Sequence, residues 1–430
     1  MLDPRILTER RDEIAESCRR REVRANVDDA CAAADAVREL KGRLDDANAK
    51  RNAHQKAGKG KLSPEEREAH TAKGRDLKAA GDVIEKELAT AEAQLQKAAC
   101  DLPNFLHPSV PDGGEHDADV LREVGTPPSF DFTPLDHVEL GEKLDLIDFE
   151  NATHVTGTKF YYLKNEAVLL DLALQRMACD MLREIGFTLH ATPDLARAQV
   201  LEGIGFNPRG QETQVYSIEN TDLCLVGTAE ITLGGLNQDR IIEEDELPLK
   251  LAGISHCFRT EAGAAGRESR GLYRVHQFTK VEMFVICRPE DSEAIHEELL
   301  AFEERFFQAL EVPYRVLNIA AADLGAPAYR KFDIEAWIPT RGEGGAYGEV
   351  TSASNCTDYQ ARRLGTRIRR KPEAGQKKGK TEFAHMLNGT AVAVARALIT
   401  LLENHQRADG SIAIPKALQA YTGFDEIKAR

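Results

Sequence analysis

No Cys-x-x-Cys pair and no His/Cys cluster occurs in these 430 residues, although there are eight cysteines, at 18, 31, 100, 179, 224, 257, 287 and 356. Such scatter argues against a zinc site or a disulfide framework, so the cysteines read as reduced, small hydrophobes and no structural zinc is expected. Any run of about 18 apolar residues is also missing. The first residues, Met1-Leu2-Asp3-Pro4-Arg5, are charged rather than signal-like, so the expectation is a cytoplasmic protein with no membrane partner. There is no Walker A sequence and no Gly-x-Gly-x-x-Gly strand-helix fingerprint, which leaves P-loop and Rossmann nucleotide binding without support. Gly342-Glu343-Gly344-Gly345 has no lysine and no following helix signal, and reads as a hairpin turn.

What is present is an ordinary soluble balance, 42% hydrophobic and 30% charged, in a chain long enough for two or three domains. The net charge of −15 argues against indiscriminate nucleic-acid binding. Its distribution says more. Residues 1–110 hold 21 Lys/Arg and 21 Asp/Glu, so the rest of the chain carries the whole deficit. Residues 38–61 have eight basic and three acidic side chains, and residues 362–380 have nine against one. Two basic patches on an acidic body point to a selective polyanion touched at two separated places.

Between residues 28 and 102 the only proline is Pro64, and two apolar seams advance by alternating steps of three and four. The first runs Ala30, Ala33, Val37, Leu40, Leu44, Ala47; the second runs Leu77, Gly81, Ile84, Leu88, Ala91, Leu95, Ala98, Leu102. This spacing predicts a supercoiled helical pair. Gly58-Lys59-Gly60-Lys61 breaks the pattern, and Ser63-Pro64-Glu65-Glu66 restarts it with an N-cap and a proline in the first turn. The two helices must run antiparallel as an arm, and 30 residues reach roughly 45 Å. Such a hairpin can be a spacer or dimerisation rod, or it can bind a phosphate backbone. The basic cluster at its tip favours the second.

The prediction is an α+β protein with three parts. Residues 1–110 form an N-terminal helical arm, 111–135 a Pro/Gly/Asp-rich linker, and 136–430 a domain built on an antiparallel sheet with flanking helices. Strands are expected around 222–233, 251–260, 273–287, 333–338 and 346–354, with helices at 166–185, 291–310 and 391–406.

Three stretches carry chemistry. In Phe258-Arg259-Thr260-Glu261, a Gly-rich loop and Arg274 to Glu282, a strand period of two puts Arg274, His276, Phe278, Lys280 and Glu282 on one face. Arginine for phosphate, a ring for a base and glutamate for an amine fit a nucleotide site; a half-exposed hairpin with scattered ion pairs is the other reading. The same period places Thr228, Glu230 and Thr232 together. Glu349 to Asp358 is a hydroxyl-rich run that suits Mg²⁺, or a plain exposed strand. Arg396 is the lone charge on an apolar helix expected to begin after Leu387-Asn388-Gly389-Thr390, and a buried arginine needs an anion.

Taken in order, the arm, Leu102-Pro103-Asn104, Gly-Thr-Ala-Glu at 227–230, Phe258 to Gly263, Arg274 to Glu282, Asp333-Ile334-Glu335-Ala336-Trp337, Glu349 to Arg363 and Leu387 to Arg396 resemble the seryl-tRNA synthetases of bacterial type, within the class II aminoacyl-tRNA synthetases. The resemblance spans nearly the whole chain. It implies a homodimer that uses ATP and Mg²⁺ to form seryl-adenylate from L-serine and passes the seryl group to serine tRNA, with selenocysteine tRNA left open as a second acceptor. It further implies that Arg259 binds the α-phosphate and Arg396 the γ-phosphate. Phe278 stacks on adenine, and Glu261, Arg274 and Val275 complete the ATP site. By the same resemblance, Glu349 and Ser352 hold the metal. Thr228 and Glu230 receive the serine ammonium, and Glu282 and Thr390 fix the substrate with its hydroxyl. On the arm, Lys50, Arg51, Lys56 and Lys59 contact tRNA. The segment Gly186 to Pro193, which would form the dimer interface, matches least well. A paralogue that activates an amino acid for a carrier protein is the alternative, and the arm argues against it; a non-enzymatic coiled-coil protein fits the retained Arg259, Glu282 and Arg396 poorly.

One implication conflicts with regular geometry. Glu349 and Ser352 are three residues apart, so a plain strand would send them to opposite faces. If both serve one ion, a bulge or turn near Val350-Thr351, or a bridging water or phosphate, is required.

Overall fold

The computed structural model describes residues 1–60, 63–206, 214–262, 270–372, 374–376 and 378–428. It divides into two compact units, Met1–Phe105 and Leu106–Arg430.

The first unit holds a short helix, α1 (Arg11–Arg20), and the two long helices α2 (Val27–Ala57) and α3 (Pro64–Cys100). The restart is as the sequence suggests: the Ser63 side chain accepts from the Glu66 N–H while Glu66 reaches back to Ser63, with Pro64 at the first helical position. Both seams are in place. Ala30 and Val37 are buried on α2, and Gly81, Leu88, Ala91 and Leu95 on α3. Lys41–Glu92 and Arg43–Glu87 tie the helices across the seam at 2.9 and 3.3 Å. Exposed pairs of this kind add little stability, so the slender Ala-rich seam holds the hairpin.

The second unit is built on eight strands: β1 (Asp119–Val124), β2 (Thr188–Ala191), β3 (Leu249–Phe258), β4 (Gln277–Cys287), β5 (Tyr314–Asn318), β6 (Arg330–Ile338), β7 (Ala346–Asn355) and β8 (His385–Ala393). Their order across the sheet is β1-β5-β6-β7-β8-β4-β3-β2. Every pair is antiparallel except β2 with β3. The stretch expected to be a linker thus supplies the edge strand β1, whose Val120 and Leu121 stay exposed. Alternation explains both faces of the sheet. On β4, Val281, Met283 and Val285 point into the main core, while Phe284 and Ile286 join a smaller cluster on the other side. Residues 342–345 form the β6–β7 turn, as read from the sequence.

Of helices α4 (His137–Lys143), α5 (Glu166–Glu184), α6 (Ala229–Gly235), α7 (Ser292–Ala309), α8 (Tyr359–Leu364) and α9 (Val394–Asn404), α4 packs against α9 and the rest pack on this sheet. Those of α5, α7 and α9 bury their apolar stripes in the main core, and α6 and α8 cover the smaller cluster. Two boundaries differ from expectation. The helix expected at 391–406 begins at Val394, because residues 385–393 pair with β4 as a strand. Thr228 and Glu230 belong to the start of α6, not to a strand, and only Leu223–Leu225 of the expected 222–233 strand is extended. Among the described residues no helix is long and apolar enough to cross a membrane, and all eight cysteines are free, seven of them buried.

A buried polar knot ties the start of this unit to its last long helix. His137 Nδ1 lies 2.8 Å from Glu403 Oε1, and the His137 N–H donates to the same oxygen at 3.0 Å. The Leu272 N–H donates to Nε2 at 3.1 Å, which makes Nε2 the acceptor and leaves the proton on Nδ1. Gly271, at φ 58°, is required here: a Cβ would lie 2.1 Å from His137 Nε2. Replacing His137→Leu leaves the Leu272 N–H without its acceptor and takes one donor from Glu403, which keeps the backbone N–H at position 137 and the Thr340 N–H and hydroxyl; an unpaired buried group costs roughly 1–3 kcal/mol. Urea unfolding of the variant should show a loss on the order of 2 kcal/mol; a change below about 0.5 kcal/mol would mean that the knot is not structural.

Candidate active site

A cleft of about 300 Å³ opens on the face of the sheet that bears Phe278 and Lys280. Arg259, Glu261, Arg274, Val275 and Phe278 line one side; Glu349, Ser352, Thr390 and Arg396 line the other. Residues 130 or more apart in sequence therefore meet in one place. Strand β4 begins at Gln277, so Arg274 and His276 precede it, and only Phe278, Lys280 and Glu282 of the five expected residues share a strand face. Gly263 and Gly266 of the connecting loop lie outside the described residues.

Arg259 follows the end of β3. Its Nε donates to the Gly227 carbonyl at 3.3 Å, and its guanidinium sits 5.3 Å from the centre of the Phe278 ring. Glu261 has a left-handed φ of 52°, uncommon for a residue with a side chain, and pairs with Arg274 at 2.6 Å. On the opposite wall, Arg396 donates to the Glu349 carbonyl at 2.9 Å and lies 3.3 Å from the Glu349 carboxylate. Against the upward pull of its partly buried setting, Arg396 and then Lys331 hold Glu349 well below the usual carboxylate range.

The bulge required between Glu349 and Ser352 is present. Ile334 of β6 faces Thr351 while Glu335 faces Glu349, so Val350 is the extra residue. Val350 and Thr351 are buried, and Glu349 and Ser352 both border the cleft. A carboxylate and a hydroxyl that border one cleft fit a hard divalent ion that keeps several waters and substrate oxygens.

Thr228, Glu230 and Glu282 do not line the open cleft; they form a buried cluster beside it. Thr390 stands directly across from Glu282 on the neighbouring strand. The Thr228 hydroxyl caps α6, accepting from the Glu230 N–H at 3.2 Å. Burial, then the charge of Glu282, raises the Glu230 carboxyl to about 7. Burial also raises Glu282, while its neighbour Lys280 holds it back. Two residues that the sequence reading did not single out fix Glu230: Gln360 and Asn388 donate to its Oε1 at 2.7 and 2.8 Å. Asn388 was within reach of sequence logic, since it falls on the same face as Thr390 once residues 385–393 are taken as a strand. Gln360 lies on a six-residue helix and carries no local signal.

The two basic patches fare differently. On the arm, Arg38, Lys41 and Arg43 have acidic partners, whereas Lys50, Arg51, Lys56 and Lys59 make no ion pair among the described residues. Lys61 lies outside them. The run at 362–380 is not a free polyanion surface. Arg370 is held by Glu244, Glu290 and Glu382, Arg369 by Glu243, Arg362 by Asp358 and Lys371 by Asp245. Four of its nine basic residues are thus paired, three of them with acidic residues distant in sequence.

Comparison with known proteins agrees with this layout. Residues 1–106 match the seryl-tRNA synthetase N-terminal domain, and residues 214–405 match the tRNA synthetase class II core domain (G, H, P, S and T). The chain is 52% identical to the serine--tRNA ligase of Treponema denticola over 99% of its own length and 100% of the relative's. Among solved structures, the seryl-tRNA synthetase of Pyrococcus horikoshii complexed with ATP superposes with a TM-score of 0.90 at 38% identity, covering 100% of both chains. The cytoplasmic serine-tRNA ligase of Naegleria fowleri in complex with AMP gives 0.86 at 32%, covering 100% of this chain and 99% of the other. With both of its parts matched and its full length aligned, this chain belongs to the seryl-tRNA synthetase family.

Proposed function

We propose that this chain activates L-serine with ATP, releasing pyrophosphate, and transfers the seryl group to serine tRNA, acting as a homodimer in the cytoplasm. The observation that carries the reading is the meeting of a phosphate-binding side with a small buried polar pocket. Arg259, Arg396 and the bulged pair Glu349 and Ser352 form the first; Thr228, Glu230, Glu282 and Thr390 form the second. In this reading Arg259 takes the α-phosphate, Arg396 leaves Glu349 for the γ-phosphate, and Phe278 gives up its contact with Arg259 to stack on adenine. Glu261, Arg274 and Val275 hold the rest of the nucleotide. Glu349 and Ser352 are the residues that would hold Mg²⁺ carried with ATP, which neutralises phosphate charge. Attack of the serine carboxylate on the α-phosphorus needs alignment and charge compensation more than a strong base, so no general base is assigned.

Thr228 and Glu230 receive the serine ammonium, and Glu282 and Thr390 pair with the rest of the substrate, including its hydroxyl. A pocket built to pair a hydroxyl leaves its own groups unsatisfied with alanine. Serine-dependent pyrophosphate exchange should therefore exceed that with alanine, glycine or threonine by several powers of ten; comparable exchange with alanine would remove the assignment. The exchange should also titrate. Only ionised Glu230 attracts the ammonium, and its carboxyl stands at about 7. Hence kcat/KM for serine should fall as pH drops below that value, by about tenfold per unit. The limb should vanish in Glu230→Gln. A flat profile from pH 5.5 to 7 would contradict the role of Glu230.

The arm and the dimer belong to the same proposal. Unpaired Lys50, Arg51, Lys56 and Lys59 support tRNA backbone contact, and the exposed Val168, Leu169, Leu172 and Leu189, on α5 and β2, support a covered subunit surface. Removal of residues 30–100 should leave seryl-adenylate formation intact and abolish efficient charging of purified serine tRNA. Unchanged charging by the deleted protein would make the arm a rod.

A further inference from the structure

Glu303 is a carboxyl group that the fold of α7 does not need. The helix packs through Leu299, Leu300, Phe302, Phe306 and Phe307, and Glu303 among them is fully buried with no cationic partner among the described residues. Burying an acid in this way costs free energy that an apolar side chain would not. Its position accounts for its presence. Strands β7 and β8 pair only through Ala353–Gly389, Ser354–Asn388 and Asn355–Leu387, and then part. Glu303 comes up from the opposite face at that point. Its Oε2 accepts from the Thr351 hydroxyl of β7 at 2.9 Å. Its Oε1 lies 3.3 Å from where a Cβ on Gly389 of β8 would stand, a tight approach shared with Met283, and this oxygen finds no hydrogen-bond partner of its own.

We infer that Glu303 is a positioning residue for the activation reaction, wedged between β7 and β8 so that it sets both the bulge bearing Glu349 and Ser352 and the stretch of β8 bearing Thr390. The inference rests on the function proposed above. Burial first, and then Asp333 and Glu282 across the sheet, raise the carboxyl well above its ordinary range against the pull of the Thr351 hydroxyl and the Thr390 amide. The carboxyl accepts from the Thr351 hydroxyl on Oε2 while Oε1 fills the space under Gly389. Glutamine keeps that shape and an acceptor for the Thr351 hydroxyl, while leucine has neither donor nor acceptor.

The test compares Glu303→Gln, Glu303→Leu and Thr351→Val with the wild-type protein. KM for ATP and for serine are taken from pyrophosphate exchange, and binding of a seryl-sulfamoyl adenosine mimic is measured by calorimetry without Mg²⁺. Glu303→Gln should stay within about threefold of wild type in every parameter. Glu303→Leu should raise both KM values by about tenfold or more and weaken the mimic, with a smaller change in kcat. Thr351→Val, which cuts the link on one side only, should raise KM for ATP more than KM for serine. A folded Glu303→Leu with wild-type KM values overturns the inference alone, as does a Glu303→Gln as damaged as Glu303→Leu. Where Glu303→Leu does not fold, the glutamine and valine variants decide. A wild-type protein without serine-dependent exchange removes the functional reading, and this inference with it.

Discussion

Strands β7 and β8 lie side by side for three residue pairs and then separate, and each carries an irregularity just past that point: Val350 on β7, Ala391 on β8. A sheet that parts leaves backbone groups without their ladder partners, and buried groups of this kind must be satisfied in some other way. Arg396 does so for one of them, donating to the Glu349 carbonyl, and it also reaches the Tyr273 carbonyl at 3.4 Å in the segment before β4. One guanidinium therefore bridges two walls of the cleft. Without the parting, Arg396 on α9 would be shut beneath a continuous sheet, and Glu349 and Ser352 would face opposite ways.

Two cations of this opening lie on protein groups, Arg396 on Glu349 and Arg259 over Phe278. In the function proposed above, both contacts exchange for a charge-assisted pair with phosphate oxygens. The neighbouring polar pocket is organised differently. Glu230 is fixed by two amides and surrounded by buried groups, so it is rigid before any ligand arrives and disfavours its own charge until a cation enters. A cationic wall beside a preset polar pocket suits the proposed reaction, whose two substrates differ so much in charge.

Much of this was legible in the sequence, for reasons that differ by region. The arm announced itself because a seam of period 3.5 sustained over many turns has few competing explanations, and the tip lysines could be named from charge alone. The bulge was legible from a conflict: the family resemblance put Glu349 and Ser352 on one ion, and regular strand geometry forbade it. Other features were hidden by locality. Thr228-Ala229-Glu230-Ile231-Thr232 alternates like a strand, but its seven-residue helix is set by packing against β3 and β4. Ala391 to Ala395 is apolar on every side, so periodicity could not tell its strand end from the helix that follows. The basic run at 362–380 misled because the partners of Arg369 and Arg370 include Glu243, Glu244 and Glu290, far away in the chain. Glu303 gave no signal either: a glutamate in a helix reads as a surface residue until the fold shows it buried.

The central claim is that the parted strands and the Val350 bulge exist to bring Glu349, Ser352 and Arg396 onto one nucleotide. A crystal structure with ATP and Mg²⁺ measures this directly. The account predicts that Val350 stays bulged, that Glu349 and Ser352 converge on the nucleotide's metal with ligand distances of about 2.0–2.1 Å or through one bound water, and that Arg396 turns from Glu349 to a phosphate. Regular pairing through residues 349–352 with the two side chains diverging, or Arg396 still resting on Glu349 beside bound ATP, would contradict it.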